Sequence, residues 1–303
     1  MNEFDLIRHV RGLNPSLGSH VVLPPGDDLG GIQLSDNVVL AGVDQVIGGV
    51  HLPAGAEPER YARKVLRRSL SDVAAMAALP AGALVTAALP AGLPVDWGQR
   101  FADALNEEGG RHGCPVFGGD VAALPDPSAT PVVTATVLAN PDQQVDGRFI
   151  RRDQATPGDE VWVSGCFGGS LDSDGGGHHE TFEPRIELAL AIHRTVRGSL
   201  HSMIDVSDGL ISDLGHLAED SAACITIDLD RIPLRGDSSS MAALGDGEDY
   251  ELCFTVAPSS ELPGMLSGVP LSRIGVVSAG GGVVVTRNGA PISVDRTGWE
   301  HRT

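Results

Sequence analysis

The sequence contains a single lysine, Lys64, and positive charge is scarce along the whole chain. Lysine and arginine number 21 among 303 residues, aspartate and glutamate number 40, and the formal net charge is −19 at pH 7. Binding nucleic acid through a broad face requires clustered basic side chains that neutralise phosphates. The one dense basic run, RYARKVLRR, also carries Val65 and Leu66, so we interpret it as a solvated helix face. The composition therefore predicts no nucleic-acid partner.

Cysteine is also rare, and its four positions lie far apart with no C-x-x-C pair. This spacing disfavours a zinc ribbon, a redox pair or a disulfide framework, and it predicts reduced, structural thiols at Cys114, Cys166, Cys224 and Cys253. The sequence lacks an apolar run of membrane-span length, and the N-terminal MNEFDLIRHVRG lacks the apolar region of a signal peptide. These absences predict a cytoplasmic protein without a membrane partner.

The overall composition is typical of a globular protein. Hydrophobic residues make up 42% of the chain and charged residues 20%, and 303 residues suffice for two domains that each bury a core. Short apolar strands alternate with amphipathic helices along the sequence, which predicts an α/β fold.

The stretch IDVSDGLISDLGHLAED, residues 204–220, places five carboxylates in a predicted strand, turn and helix. The helical spacing is that of Leu210, Ile211, Leu214, Leu217 and Ala218, so we expect an amphipathic helix from about Ser207 onward. Asp205 then ends the strand and Asp208 lies in the first helical turn. One interpretation is helix capping by Ser207 or Asp208. The other is ligand binding, because a cap needs only one acidic group.

Acidic residues recur near predicted element ends elsewhere. They are Asp27 and Asp28 in a Pro/Gly turn after the strand 21–23, Asp44 at the end of a strand over 38–43, Asp72 within a helix, Asp120 after Gly118 and Gly119, and Asp246, Glu248 and Asp249 before a strand through Phe254 and Val256. Ligands of α/β proteins bind at such ends, so we hypothesise that these carboxylates converge and hold Mg²⁺ or Ca²⁺. The alternative is that Asp-Gly turns are common and several of these acids pair with surface arginines.

Other motifs have weaker functional interpretations. The chain has no G-x-x-x-x-G-K-[ST] phosphate loop and no G-x-S-x-G nucleophile motif. The segment GCFGGS, residues 165–170, could cradle phosphate, but an ordinary glycine turn is the simpler interpretation. The adjacent His178 and His179 are predicted to lie in a surface loop.

Several blocks, taken in order, resemble the thiamine-monophosphate kinase family. They are GDD, VDQVIGGVHL, LSDVAAMAALP, FGGD, TPGDEVWVSG, IDVSDGLISDLGHLAEDS, DLDRIPL, GEDYELCFTV and the terminal TGWEH, and they extend nearly from end to end. The family belongs to a superfamily with aminoimidazole ribonucleotide synthetase, selenophosphate synthetase and a hydrogenase maturation factor. The SDGLISDLGH and GEDYEL blocks favour the thiamine enzyme over these relatives.

The resemblance implies a mixed α/β, two-domain fold of the aminoimidazole ribonucleotide synthetase type. Residues 1–149 would form an N-terminal ATP- and Mg²⁺-binding domain whose sheet dimerises into a barrel, and residues 150–303 a C-terminal α/β domain. The implied enzyme is a homodimer that uses several Mg²⁺ ions to transfer the γ-phosphoryl group of ATP to thiamine monophosphate, giving thiamine diphosphate and ADP.

The resemblance also implies roles for individual residues. The metal ligands would be Asp28, Asp44, Asp72, Asp120, Asp205 and Asp208, with Asp27 close by; Asp72, Asp120 and Asp208 would be catalytic; Gly119, Asp120, Arg152 and Ser207 would bind ATP; and His51, Glu248 and Trp299 would bind thiamine monophosphate. Trp299 would offer its ring face to the cationic thiazolium.

The implied chemistry explains the acidic sequence. An acidic cleft repels two anionic substrates, so divalent cations must lie between them. The acceptor is a phosphate whose second pKa is about 6, so it already carries the nucleophilic oxyanion near neutral pH and needs no general base. Positioning and electrostatic stabilisation are then the expected sources of rate.

The sequence departs from the family pattern at a few positions. Gly42 and Val43 replace a hydroxyl pair, Val121 replaces a threonine, Asp246 replaces a glycine, and Thr181 and Phe182 replace an Arg-Pro pair. Two other hypotheses therefore stay open. One is a sister ATP-dependent enzyme that activates a different acceptor, such as an amide oxygen, and the other is a nucleotide-binding paralogue without catalysis.

Overall fold

The computed structural model describes residues 9–12, 14, 17–258 and 260–294. Six strands form the sheet of the N-terminal half: β1 (Val21–Leu23), β2 (Gly30–Leu34), β3 (Asn37–Ile47), β4 (Ala78–Pro90), β5 (Val116–Leu124) and β6 (Val132–Pro141). Their spatial order is β1-β2-β3-β6-β4-β5. Only the edge pair of β4 and β5 is parallel among these neighbours.

The helices α1 (Pro58–Ala75) and α2 (Trp97–Arg111) accompany this sheet. Proline at the start of α1 suits a helix N-terminus, where its missing N–H leaves no bond unmade. The apolar stripe of α1 is buried against β3, β4 and β6. In β6 the alternate residues Val133, Ala135, Val137 and Ala139 are fully buried, as expected for a strand with one covered face.

The C-terminal half contains a second sheet. Its strands are β7 (Glu160–Ser164), β8 (Leu200–Val206), β9 (Ala223–Asp228), β10 (Glu251–Val256), β11 (Met265–Leu266), β12 (Val269–Ala279), β13 (Gly282–Arg287) and β14 (Ala290–Ile292). The order is β14-β13-β9-β12-β7-β10-β8, and β11 pairs with β12. The helices here are α3 (His178–Thr181), α4 (Ile186–Val196), α5 (Leu210–Asp220) and α6 (Ser240–Gly245). Short 3₁₀ turns occupy Gln143–Val145, Arg197–Ser199 and Leu229–Arg231.

The two halves pack against each other through α1. Leu66 and Leu70 of α1 belong to the same buried cluster as Ile192 of α4 and Met203 of β8. The α1–β8 contact brings Asp72 and Asp205 together, although they are far apart in sequence. The predicted boundary between Phe149 and Ile150 lies between β6 and β7, and the division of the chain there stays a prediction.

Two predicted strand ends were wrong. β3 continues past Asp44 to Ile47, because the buried Val46 extends its alternation and Ile47 still pairs with β6. β5 likewise continues past Asp120 to Leu124. Asp44 and Asp120 therefore lie within strands, where the pleat decides which sheet face each side chain occupies.

The four cysteines are free thiols, as predicted. Within the described ranges, no helix has both the length and the hydropathy needed to span a membrane.

Candidate active site

Three aspartates meet where α1 contacts the C-terminal half. Asp28 comes from the turn between β1 and β2, Asp72 from the last turns of α1, and Asp205 from the end of β8. One carboxylate oxygen of each lies within 4.8 Å of the others. The hydroxyl of Ser71 donates a 2.6 Å hydrogen bond to Asp205 and fixes its orientation. These three residues form what we call the acidic cluster.

Burial makes the acidic cluster hold its protons tightly. It raises the pKa of Asp28 and that of Asp205 to about 6, and the charge of Arg152 only partly offsets this for either residue. The pKa of Asp72 is raised well above its usual value by burial and by the nearby charges of Asp44 and Asp205. The carboxylates of the acidic cluster repel one another when they are ionised. A cation that binds between them removes this repulsion.

The donor set of the acidic cluster fits a hard divalent cation. All of its ligand atoms are carboxylate oxygens, which Mg²⁺ prefers. Oδ2 of Asp28 and Oδ2 of Asp44 are buried without a hydrogen-bond partner in the described part of the chain. Unpartnered buried oxygens are destabilising unless a ligand satisfies them.

Arg152 and two further predicted ligands border the acidic cluster. The guanidinium of Arg152 pairs with Asp28, and its Nε lies 3.6 Å from Oδ1 of Asp27. Burial, together with the adjacent Asp28, raises the pKa of Asp27 to about 7. Asp44 lies 3.6 Å from the guanidinium of Arg68 on α1. Asp27, Asp44 and Arg152 are thus gathered with the acidic cluster.

The start of α5 is held by a residue that sequence analysis assigned no role. Oδ2 of Asp213 accepts hydrogen bonds from the backbone N–H groups of Ser207, Asp208 and Gly209, at 3.0, 3.1 and 3.1 Å. One of the two interpretations of this segment placed a capping Ser207 or Asp208 at the helix start, but α5 begins at Leu210 and its N-cap residue is Gly209. Ser207 and Asp208, just before α5, lie at the rim of the cleft.

Gly119 and Asp120 are not brought to the acidic cluster within one chain. Asp120 is aligned across the sheet with Thr86, Thr134 and Gln45, so it lies on the face opposite Asp44. Asp120 on β5 is also three strands away from Asp44 on β3, which is about 14 Å at the usual strand spacing. Both residues are exposed on the edge strand β5.

Two cavities adjoin at Ser207 and Asp208, which line both. The larger, about 960 Å³, contains the acidic cluster, Asp27 and Arg152. The smaller, about 380 Å³, is lined by His51, Glu248 and Tyr250, with the apolar Val50 and Leu171. Both volumes are in the range of ligand sites.

Glu248 is the best-anchored anion of the smaller cavity. Burial would raise its pKa, but hydrogen bonding by His179 and the charges of Lys64 and Arg68 outweigh this and lower the pKa to about 2. Its carboxylate contacts Nζ of Lys64 and lies 3.1 Å from Nδ1 of His179. Glu248 has a left-handed backbone with φ of 56°, a strained conformation often found at functional sites.

The structure contradicts two further interpretations of the sequence and supports a third. The basic run is not a solvated face, because Lys64 and Arg67 are buried and paired with Glu248 and Glu108. His179 is not in an exposed loop, because only 2% of its side chain is accessible. The glycine segment 165–170 behaves as an ordinary turn, since Gly168 and Gly169 donate their N–H groups to protein carboxylates.

The remaining substrate residues are only partly described. Nδ1 of His51 accepts a 3.0 Å hydrogen bond from the N–H of Ile47, so the ring is oriented at the rim of the smaller cavity. Trp299 lies outside the described residues. At Gly42 an added Cβ would lie 2.4 Å from Cδ2 of Leu29, so a side chain there requires Leu29 to move.

Comparison with known proteins identifies the relatives of this chain. Residues 26–140 match the AIR synthase related protein, N-terminal domain, and residues 159–288 match the AIR synthase related protein, C-terminal domain. A thiamine-monophosphate kinase of Caulobacter vibrioides is 32% identical over 289 residues, which cover 85% of this chain and 79% of that protein. The corresponding kinase of Escherichia coli K12 is 32% identical over 335 residues, which cover 99% and 98%.

Structural comparison leads to the same family. The structure of AaThiL complexed with AMPPCP and TMP has a TM-score of 0.81 to this chain at 26% identity, and the match covers 99% of this chain and 97% of that one. The predicted mixed α/β fold of two AIR synthase-type halves is therefore confirmed. On the evidence of sequence identity over nearly its full length, this chain belongs to the thiamine-monophosphate kinase family.

Proposed function

We propose that this protein transfers the γ-phosphoryl group of ATP to thiamine monophosphate in a Mg²⁺-dependent reaction. The observation that carries the proposal is the pair of cavities that meet at Ser207 and Asp208. ATP would occupy the larger cavity, beside the acidic cluster and Arg152, and thiamine monophosphate the smaller one. Two anionic groups could then meet at the shared wall.

The residues that would hold Mg²⁺ are the acidic cluster, with Asp27, Asp44 and Asp208 at its border. When bound, the ions would neutralise the phosphates and stabilise charge that develops during transfer. Arg152 adds a permanent positive charge beside Asp28. The buried, repelling carboxylates of this chain support such a role, because cation binding relieves their repulsion.

The acceptor itself supplies the nucleophile in this proposal. A phosphomonoester with a second pKa of about 6 is largely dianionic above neutral pH, so no side chain has to remove a proton. The protein has to hold the acceptor oxygen in line with the γ-phosphorus. Glu248, kept ionised by Lys64 and Arg68, would attract the cationic thiamine moiety, while Val50 and Leu171 cover its rings.

The protein is proposed to act as a homodimer formed through the N-terminal sheet. On the sheet face opposite α1, Val43 is 63% exposed and Leu34 52% exposed, and Ile32 and Leu84 are also exposed. Large apolar patches of this kind are typical of association surfaces. Asp120 lies on the same face, so its carboxylate would lie at or near this proposed interface.

A charge on this face should separate the dimer. Val43→Asp is expected to weaken dimerisation by about 100-fold or more, because a two-fold interface buries the new carboxylate twice. Light scattering coupled to size exclusion over a concentration series measures the effect. Val95→Asp, at a fully exposed loop position, is the matched control. A wild-type protein that is monomeric at all concentrations would contradict the proposed dimer.

The proposed activity is tested by ADP release from ATP with thiamine monophosphate and Mg²⁺. Turnover that requires all three components is the expected result, and no turnover above that of Asp72→Asn would contradict the proposal. Activity with another acceptor alone would identify a sister enzyme. Thermal stabilisation by ATP and Mg²⁺ without any product would identify a nucleotide-binding paralogue.

A further inference from the structure

Arg68 lies between the acidic cluster and the smaller cavity. Its Nη2 is 3.6 Å from Oδ1 of Asp44, and its Nη1 is 3.8 Å from Oε1 of Glu248. Both distances exceed that of a normal hydrogen bond. Nε and Nη1 are buried and have no hydrogen-bond partner within the described residues. Buried donors left in this state are destabilising until an acceptor reaches them.

The basic side chains near Arg68 already pair with acidic groups of the protein. Lys64, one helical turn before Arg68 on α1, contacts Glu248 and His179. Arg152 contacts Asp28, and Arg60 pairs with Glu180. Among the described residues that line the smaller cavity, Arg68 is the one that carries a permanent positive charge.

The position of Arg68 on α1 connects the two parts of the site. Lys64, Arg68 and Asp72 are spaced four residues apart, so they form one stripe along the helix. At one end of this stripe Lys64 contacts Glu248, and at the other end Asp72 belongs to the acidic cluster. A ligand whose cationic rings lie at Glu248 would present an attached phosphate to the middle of this stripe, which is Arg68.

We propose that Arg68 binds the phosphate of the acceptor and makes the smaller cavity select phosphorylated thiamine over thiamine. The inference rests on the proposed function and adds a specificity-determining residue to it. A guanidinium matches a phosphate with two parallel hydrogen bonds, either from Nε and Nη2 or from Nη1 and Nη2. Each arrangement satisfies one of the two unpartnered nitrogens of Arg68. The phosphate also requires a cation here, because Asp44 and Asp208 would otherwise repel it.

The test compares the binding of thiamine monophosphate and thiamine by calorimetry, with Mg²⁺ and without ATP. The wild type should bind the phosphorylated ligand more tightly. Arg68→Gln should reduce this preference by about 10- to 100-fold, leave the affinity for thiamine within about twofold, and raise KM for thiamine monophosphate without changing KM for ATP. Arg68→Lys should retain part of the preference. Arg63→Gln, which removes an exposed charge from the same helix, is the matched control.

The outcomes separate this inference from the proposed function. A wild type that phosphorylates thiamine monophosphate, with the same ligand preference in Arg68→Gln, would overturn the role of Arg68 alone. A wild type that binds neither ligand would overturn both. Equal loss of affinity for thiamine and its phosphate in Arg68→Gln would show a structural role and would also contradict the inference.

Discussion

Asp72→Asn is expected to lower the phosphorylation rate by at least about 10³-fold, or about 4 kcal/mol, while stabilising the metal-free protein. The asparagine keeps the shape of the side chain but removes a charged ligand from the acidic cluster. Without metal, the carboxylate of Asp72 is buried beside Asp28 and Asp205, and that environment raises its pKa well above the ordinary value. A neutral amide relieves this repulsion. ADP release and thermal unfolding in EDTA measure the two effects.

The matched control is Asp103→Asn, which removes an exposed carboxylate from α2. It should change neither activity nor stability by a measurable amount. A variant at position 72 with more than a tenth of wild-type activity would contradict the role of the acidic cluster. Reduced stability of that variant in EDTA would contradict the repulsion.

Stabilisation by Mg²⁺ should increase by up to about 3 kcal/mol between pH 5 and pH 8. The pKa of Asp28 and that of Asp205 are raised by burial to about 6, so the folded, metal-free protein holds protons that the unfolded chain releases. In EDTA these groups therefore reduce stability as the pH rises from about 4 to about 7. Mg²⁺ binds the ionised form and reverses this loss. Urea unfolding at both pH values, with EDTA or Mg²⁺, measures the difference.

Other titrating groups affect stability equally with EDTA and with Mg²⁺, so their contributions largely cancel in the difference between the two buffers. Burial lowers the pKa of His193 to about 4 and also lowers the pKa values of His178 and His216, so they make stability rise with pH in either buffer. The stabilisation of Asp72→Asn by Mg²⁺ should depend much less on pH than that of the wild type. Equal stabilisation of the wild type at pH 5 and pH 8 would argue against metal binding at the acidic cluster.

Local sequence predicted several secondary-structure elements and the convergence of several carboxylates. The helical spacing from Leu210 to Ala218 predicted α5, and apolar segments predicted β8 and β10. The hypothesis that acids converge predicted the meeting of Asp28, Asp72 and Asp205. These features follow from periodicity and chain order, which a single sequence contains. The roles assigned to individual site residues stay predictions.

Features that depend on long-range register could not be predicted in the same way. The sheet face of Asp120 follows from its alignment with Thr86, and strand pairing is not encoded in the local pattern. The burial of Lys64 depends on Glu248, which is 184 residues away. The spacing of Lys64, Arg68 and Asp72 was visible, but the charge of the basic run favoured a solvent-facing interpretation until the partners of α1 were known.

The three hydrogen bonds to Asp213 bear on how the protein would respond to magnesium supply. Main-chain N–H groups at the start of a helix can bind phosphate oxygens directly, without a metal ion between them. Here the amides of Ser207, Asp208 and Gly209 are already engaged by a side chain of the same helix. In the proposed reaction, nucleotide binding should therefore rely on Mg²⁺ more heavily than it does in proteins whose free main-chain N–H groups hold the phosphates.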